Sequence, residues 1–177
     1  MGYGSAGLAP GSLRGVALAA IAMRGRWQYV RVLDDALTWS EVSALLAVPR
    51  NYWLSTTTPS GAPHAAPVWG VVIGRTLYVC SERRAVKARN LAADPRVVVH
   101  LESGDDVVIV RGTAEDLGVP AQVPSVVPAF AAKYAAPDDQ QYLPGDDPGE
   151  AVYAIRAQSA MVWHLADYEA SQRRWSS

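Results

Sequence analysis

A strand that runs directly into a short basic helix, YVCSERRAVKARNLAADP from Tyr78 to Pro95, constrains this chain more than any other stretch. Tyr78, Val79 and Cys80 read as the end of the strand. Ser81 is placed to cap the helix that follows, with neighbouring backbone N–H groups left unpaired. At 100° per residue Arg83, Lys87 and Asn90 share one helix face, Arg84 lies beside them, and Leu91 starts the inward side. Asp94-Pro95 ends the segment. An anion at such a helix start would meet the helix dipole, N–H groups and an ammonium together. The alternative is an ordinary solvated face of Arg and Lys.

The stretches on either side are mostly strands. Thr38 or Ser40 caps a helix carrying Val42, Leu45 and Leu46, which stops at Pro49. From Tyr52 to Thr58 the period is that of a strand, and Pro59-Ser60-Gly61 turns the chain into His64 to Ile73, where Pro67 marks a bulge or an edge. Gly74-Arg75 is a tight turn into Thr76 to Cys80. Val97 to Leu101 and Val107 to Gly112 form a further hairpin through Ser103-Gly104-Asp105, completing five strands in meander order. Residues 116–148 are irregular apart from a helix at Pro124 to Tyr134, and loops this long are often functional. Val152 to Arg156 and Ser159 to Leu165 supply a last strand or pair of strands. The expected fold is mainly β with flanking helices, six to seven antiparallel strands closed into a small barrel that removes exposed edges.

With 177 residues the chain suits one domain, expected over residues 33–168, with a polar tail at 169–177. Residues 1–25, rich in Gly, Ala and Ser, read as a disordered extension or as an over-long start with Met23 as an alternative initiator. The apolar run Val16 to Met23 is too short to span a membrane as a helix. Sixteen basic and seventeen acidic residues leave a net charge of -1, so no global field steers nucleic acid and any anion site is local. The lone Cys80 excludes an internal disulfide and multi-cysteine metal motifs, and a reducing cytoplasm is the expected compartment. Neither an HExxH metal motif nor a Gly-rich nucleotide motif is present.

The combination WLST, GAPHAAPVW, YVCS and KARNLAADPRV resembles the split β-barrel flavin and deazaflavin oxidoreductases, the pyridoxamine 5′-phosphate oxidase superfamily. The likeness runs from about Leu33 to Tyr168. It implies a split β-barrel, a homodimer and a cofactor in a groove between the subunits. Ser81 and Lys87 match the positions that hold the cofactor phosphate, while Ser55, Thr56, Thr57, Pro67, Val68 and Trp69 match the strands along which the ring lies. FMN-binding members carry an Arg at the start of the second of these strands, a Lys at its end and an Arg just before the helix Lys. Here those positions are Ala65, Gly70 and Val86. The PHAxPVW strand and KxRNL helix are similar to the F420-binding branch, whose deazaflavin carries an oligoglutamate tail that Arg83, Arg84 and Arg89 would suit.

The resemblance therefore implies an F420-dependent oxidoreductase that transfers a hydride between the deazaflavin and a small unsaturated or quinone-like substrate. An FMN-binding oxidase-like protein and a non-catalytic carrier of a cofactor, tetrapyrrole or haem are the alternatives. The protein's part in such chemistry is to bind, orient and exclude water. Trp69, Tyr134, Trp163 and Phe130 are candidates for an apolar wall, and His64, His164 or Tyr134 for a proton donor. His100 reads as a sheet residue, and a haem site would need an axial His. Cys80 reads as a reactive thiol or, more commonly, a small buried hydrophobe.

Overall fold

The computed structural model describes residues 17–23, 26–32 and 36–177, with side chains from residue 36 onward. The chain divides into two units, residues 1–36 and 37–177. In the first, β1 (Ala17–Met23) and β2 (Arg26–Val32) pair antiparallel. Residues 1–16 of the extension expected to be disordered lie outside the described residues, whereas 17–23 are paired as a strand.

The second unit opens with α1 (Trp39–Ala47), closed at its start by a reciprocal capping box in which Thr38 and Glu41 bond each other's backbone N–H. Val42, Leu45 and Leu46 are buried, as their spacing predicts. β3 (Tyr52–Thr57) then turns at Gly61, whose φ of 86° only glycine adopts freely, into β4 (Pro63–Val68). A single residue, Trp69, separates β4 from β5 (Gly70–Ile73), which forms a hairpin with β6 (Thr76–Glu82). After α2 (Val86–Ala93) come β7 (Arg96–His100) and β8 (Asp106–Asp116). The last elements are α3 (Val126–Lys133), β9 (Glu150–His164), α4 (Tyr168–Ser171) and β10 (Arg173–Ser176).

The expected hairpins form, but the meander does not. The sheet order is β4-β3-β7-β8-β9-β6-β5, with β10 also on β9. Both edges of β6 are taken, one by β5 and the other by β9, so β7 does not lie beside it. It pairs with β3 instead. The two ends of the sheet path, β4 and β5, are consecutive in sequence with only Trp69 between them, so the sheet must curl until its edges meet. This is the barrel. Pro67 falls on the edge strand β4, where its missing N–H costs no ladder bond.

The barrel interior is filled by alternate residues, among them Tyr52 and Leu54 of β3, Val97 and Val99 of β7, Val108 and Val110 of β8, and Leu77 and Val79 of β6. The last strand is one continuous element rather than two. Its break in pattern is a bulge: Arg111 pairs with Ser159 and Gly112 with Ala157. Gly112 is required there, because a Cβ would stand 2.2 Å from the Arg156 carbonyl oxygen. The first half of β9, Ala151–Ile155, is buried on both faces, since α3 covers its outer side with a second cluster of Val71, Val126, Phe130, Tyr134 and Val152. The polar tail also joins the sheet, with β10 pairing β9 from Arg173↔Val162 to Ser176↔Ser159.

Ser81 does not cap the basic helix. β6 continues through Ser81 and Glu82, which pair with Ala151 and Glu150 of β9, so the helix starts later, with Ala85 in the cap position and no side-chain cap. Arg83 consequently precedes the helix instead of sharing a face with Lys87 and Asn90. Among the described residues no helix is long and apolar enough to cross a membrane.

Candidate functional site

A cavity of about 580 Å³ opens where the sheet edges meet. Trp53 and Pro67, directly opposed across β3 and β4, form one wall with Val68 and Trp69. Cys80 of β6, Phe130 of α3 and Lys87, from the first turn of α2, line it as well. Asn51 and Glu102 stand at strand ends, Glu150 starts β9, and the loop after α3 contributes Tyr142 and Pro144. Lys87 is half-buried and makes no hydrogen bond or ion pair among the described residues. An unpaired ammonium beside aromatic and apolar walls suits a planar ligand with an anionic group.

The residues expected to touch a cofactor separate into groups. Pro67, Val68, Trp69 and Lys87 line the cavity. Ser55 and Thr57 lie on the Trp53 face of β3 and are half-buried. Thr56 and Asn90 point inward instead: Asn90 Nδ2 donates to Thr56 Oγ1 at 2.9 Å, both residues are buried, and the pair fastens α2 to β3. Ser81 is also buried and donates only to the Glu82 carbonyl, at 3.3 Å. Arg83 is on the surface, where Nη1 meets Asp116 at 2.6 Å. Arg84 pairs with Glu82, and Arg89 donates to the Arg84 carbonyl. Exposed pairs of this kind contribute little to stability, so these guanidinium groups remain free to change partners.

Behind the Trp69 wall is a polar support. The Trp69 and Tyr134 rings stack in parallel, 4.2 Å between centroids and 4° between planes. Tyr134 Oη accepts from the Gly70 N–H at 2.8 Å and donates to the Arg50 carbonyl at 2.8 Å. Lys133 Nζ donates to Tyr52 Oη at 2.6 Å and to the Gly70 carbonyl at 2.8 Å, while Tyr52 Oη donates to the Leu46 carbonyl. Burial pushes the Lys133 ammonium down to about 8 and the Tyr134 hydroxyl up to about 12. Tyr134 is thus a buried prop rather than an accessible proton donor. Burial, reinforced by the nearby Glu150 charge, pushes the Cys80 thiol up to about 12, so its reading as a small hydrophobe holds.

Phe130 lines the cavity as the search for an apolar wall suggests, but Trp163 lies elsewhere, edge-on to Tyr168 at 6.0 Å. His64 is held by Thr56 at 3.3 Å and His164 by Asp106 at 2.6 Å. Trp53, Asn51, Glu102, Tyr142, Pro144, Arg50 and Asp139 were not singled out by sequence. Trp53 had a usable signal, since it alternates with Ser55 and Thr57 on one strand. The loop residues had none.

A curled antiparallel sheet with a helix-flanked cavity where its edges meet defines a split β-barrel protein. Residues 38–164 match the pyridoxamine 5′-phosphate oxidase family, and the chain belongs to that family. No curated protein matches its sequence. Among solved structures, the haem-binding protein from Mycobacterium smegmatis is similar with a TM-score of 0.61 at 22% identity. The match covers 79% of this chain and 58% of that one, so the chain spans less than two thirds of that protein. A conserved hypothetical protein from Mycobacterium tuberculosis has a TM-score of 0.61 at 24% identity, covering 73% of this chain and 86% of the other. An F420 reductase has a TM-score of 0.54 at 25% identity, covering 67% and 94%.

Proposed function

We propose that this chain binds coenzyme F420 and transfers a hydride between it and a small unsaturated or quinone-like substrate. The observation that carries the reading is the half-buried, unpaired Lys87 ammonium beside the wall of Trp53, Pro67, Val68 and Trp69. The likeness to an F420 reductase at 25% identity supports it. Lys87 would hold the phosphate, the aromatic and proline wall would orient the ring, and Arg83, Arg84 and Arg89 would follow an anionic tail. When bound, the deazaflavin supplies the hydride chemistry. The chain positions it and keeps water away through the apolar wall.

Position 70 favours F420 over FMN. A Cβ on Gly70 would stand 2.9 Å from the Tyr78 carbonyl oxygen and 3.2 Å from Leu77 Cδ1 and Val79 Cγ1, so the Lys of FMN-binding relatives has no room here. Among the described residues lining the cavity there is no histidine to serve as the axial partner of a His-ligated haem. Titration of the apo-protein with oxidised F420, FMN and haemin in parallel separates the readings. The expected result is micromolar or tighter F420 binding, seen as a change in cofactor fluorescence, with weaker FMN binding and no haemin spectrum of a ligated iron. FMN binding tighter than F420 would overturn the assignment.

The same reading includes a homodimer. Across the outer face of the sheet, Pro67, Trp53, His100, Ile109, Met161 and Arg174 form one row of directly paired residues. Trp53 and His100 stack at 6.5 Å, and Trp53, His100, Ile109 and Met161 are only half-buried. This row is continuous with the cavity wall through Trp53 and Pro67, so an isologous partner would cover both. Sedimentation equilibrium should give twice the 19.0 kDa chain mass, and Met161→Arg should return it to the monomer. A monomeric unaltered chain at micromolar concentration would remove this part of the proposal.

A further inference from the structure

Arg50 reaches across 89 residues to Asp139, with both guanidinium nitrogens on the carboxylate at 2.7 and 2.5 Å. The Asp139 side chain is 7% exposed, although it belongs to an otherwise open 3-10 turn, Pro137–Tyr142. The guanidinium also lies 4.9 Å from the Trp69 ring centroid and 5.9 Å from that of Tyr134. One cation therefore joins the turn to the stacked rings behind the cavity. Beyond the ion pair, Leu143 packs on the α3 cluster and the Gly145 carbonyl accepts from Ala121 N–H at 3.1 Å. Between these anchors Tyr142 stands out. It is 66% exposed, yet it lines the cavity and sets its edge against the Trp69 face, 6.1 Å between centroids and 87° between planes.

A large aromatic left open to water over a cavity offers a stacking surface to something flat. Its position relative to Trp69 makes a right-angled aromatic corner in the same cavity, and Tyr142, which belongs to the strap and not to the Trp53, Pro67 and Val68 wall given to the cofactor ring, is the side left for a substrate. A planar conjugated molecule can stack on one ring while presenting its edge to the other. A saturated or small aliphatic compound fills the corner without either contact.

We propose that Tyr142 selects planar conjugated substrates for the cavity, and that the Arg50–Asp139 ion pair is a positioning clamp that holds the 137–144 strap in place for it. The proposal rests on the hydride-transfer reading for the role of the bound molecule, but the aromatic corner belongs to the chain itself. Its test therefore uses apo-protein. 1,4-Naphthoquinone and the saturated bicyclic ketone 1-decalone are titrated separately, following quenching of tryptophan fluorescence for the quinone and competition against it for the decalone. Hydrogen exchange of the 137–144 amides is read alongside.

The quinone should bind more tightly than the decalone. Tyr142→Ala should weaken the quinone by about tenfold, the upper scale of one aromatic contact, and leave the decalone unchanged, and Tyr142→Phe should restore quinone binding. Asp139→Asn should speed exchange across the strap, with the barrel strands still protected, and weaken the quinone through Tyr142. The double variant should then be no weaker than Tyr142→Ala alone, because the clamp acts only through that ring. Asp139→Glu, which keeps the charge, should recover much of the loss. Equal binding of quinone and decalone, no loss in Tyr142→Ala, or fully additive losses in the double variant would each overturn the proposal. F420 titration of the same variants separates the two readings, since its failure in the unaltered chain removes the cofactor assignment while the quinone result still decides the strap.

Discussion

Phe130→Ala should lower the free energy of unfolding by about 3–5 kcal/mol, the usual cost of emptying a buried aromatic site. Phe130 is 1% exposed and sits 5.6 Å from the Tyr134 ring in the cluster by which α3 covers β9 and β5. Its neighbours there, Val71 of β5, Val126 of α3 itself and Val152 of β9, are held by paired or helical backbone and cannot all close over the void. Tyr134 is further held by its bonds to Gly70 and Arg50, so it cannot fall inward without losing them. Chemical denaturation would show a lower midpoint with an unchanged slope. A loss below about 1 kcal/mol would mean that α3 repacks freely and that the second cluster is not a specific core.

Lys87→Ala should weaken F420 binding by about 1.5–3 kcal/mol, roughly 10- to 150-fold, the range for a hydrogen bond to a charged group. The magnitude follows from the state of the free protein. Lys87 holds no carboxylate at ion-pair distance and interacts with Glu82 only as a weaker coulombic attraction, so little of the new interaction is spent on breaking an old one. Arg83 offers the contrasting case. Its guanidinium already holds Asp116 at 2.6 and 3.3 Å, and Arg83→Ala should weaken F420 binding much less than Lys87→Ala does. Isothermal titration of both variants at one ionic strength makes the comparison. Equal effects, or an unchanged affinity in Lys87→Ala, would remove the phosphate role from the start of α2.

Much of the fold is legible because its signals are local. The Thr38–Glu41 capping box, the glycine turns and the alternating strands each specify structure over a few residues. The strand order was not legible, since it depends on where α2 sets the chain down and the helix sequence contains no measure of that. Ser81 illustrates a competition between two local signals. A serine before a helix is a good cap, but pairing with Ala151 extends the strand past it, and that partner lies 70 positions further along the chain.

The site divides in the same way. Pro67, Val68 and Trp69 are recognisable through the resemblance to the split-barrel family, and Lys87 through that resemblance together with its place on the basic helix. The resemblance for Thr56 and the helix-face spacing for Asn90 suggest cofactor contacts, yet both lie on inward faces and bond each other. Arg50, Asp139 and Tyr142 had no signal. Their roles arise from one long-range ion pair and one loop, and nothing in the residues near Asp139 announces that its partner precedes β3.

The position of β9 also sets the order of events during synthesis. It pairs with β8, β6 and β10, yet it is translated after both β6 and β8. Until residues 150–164 leave the ribosome, the hairpins β3–β4, β5–β6 and β7–β8 can form, but β6 and β8 each present an unpaired edge where β9 will lie. Local pairs are fast and closure by a distant strand is slow. The nascent chain therefore spends its most vulnerable interval with two open strand edges awaiting the same segment, an arrangement in which a second nascent copy could donate its own β9 and yield a strand-exchanged pair.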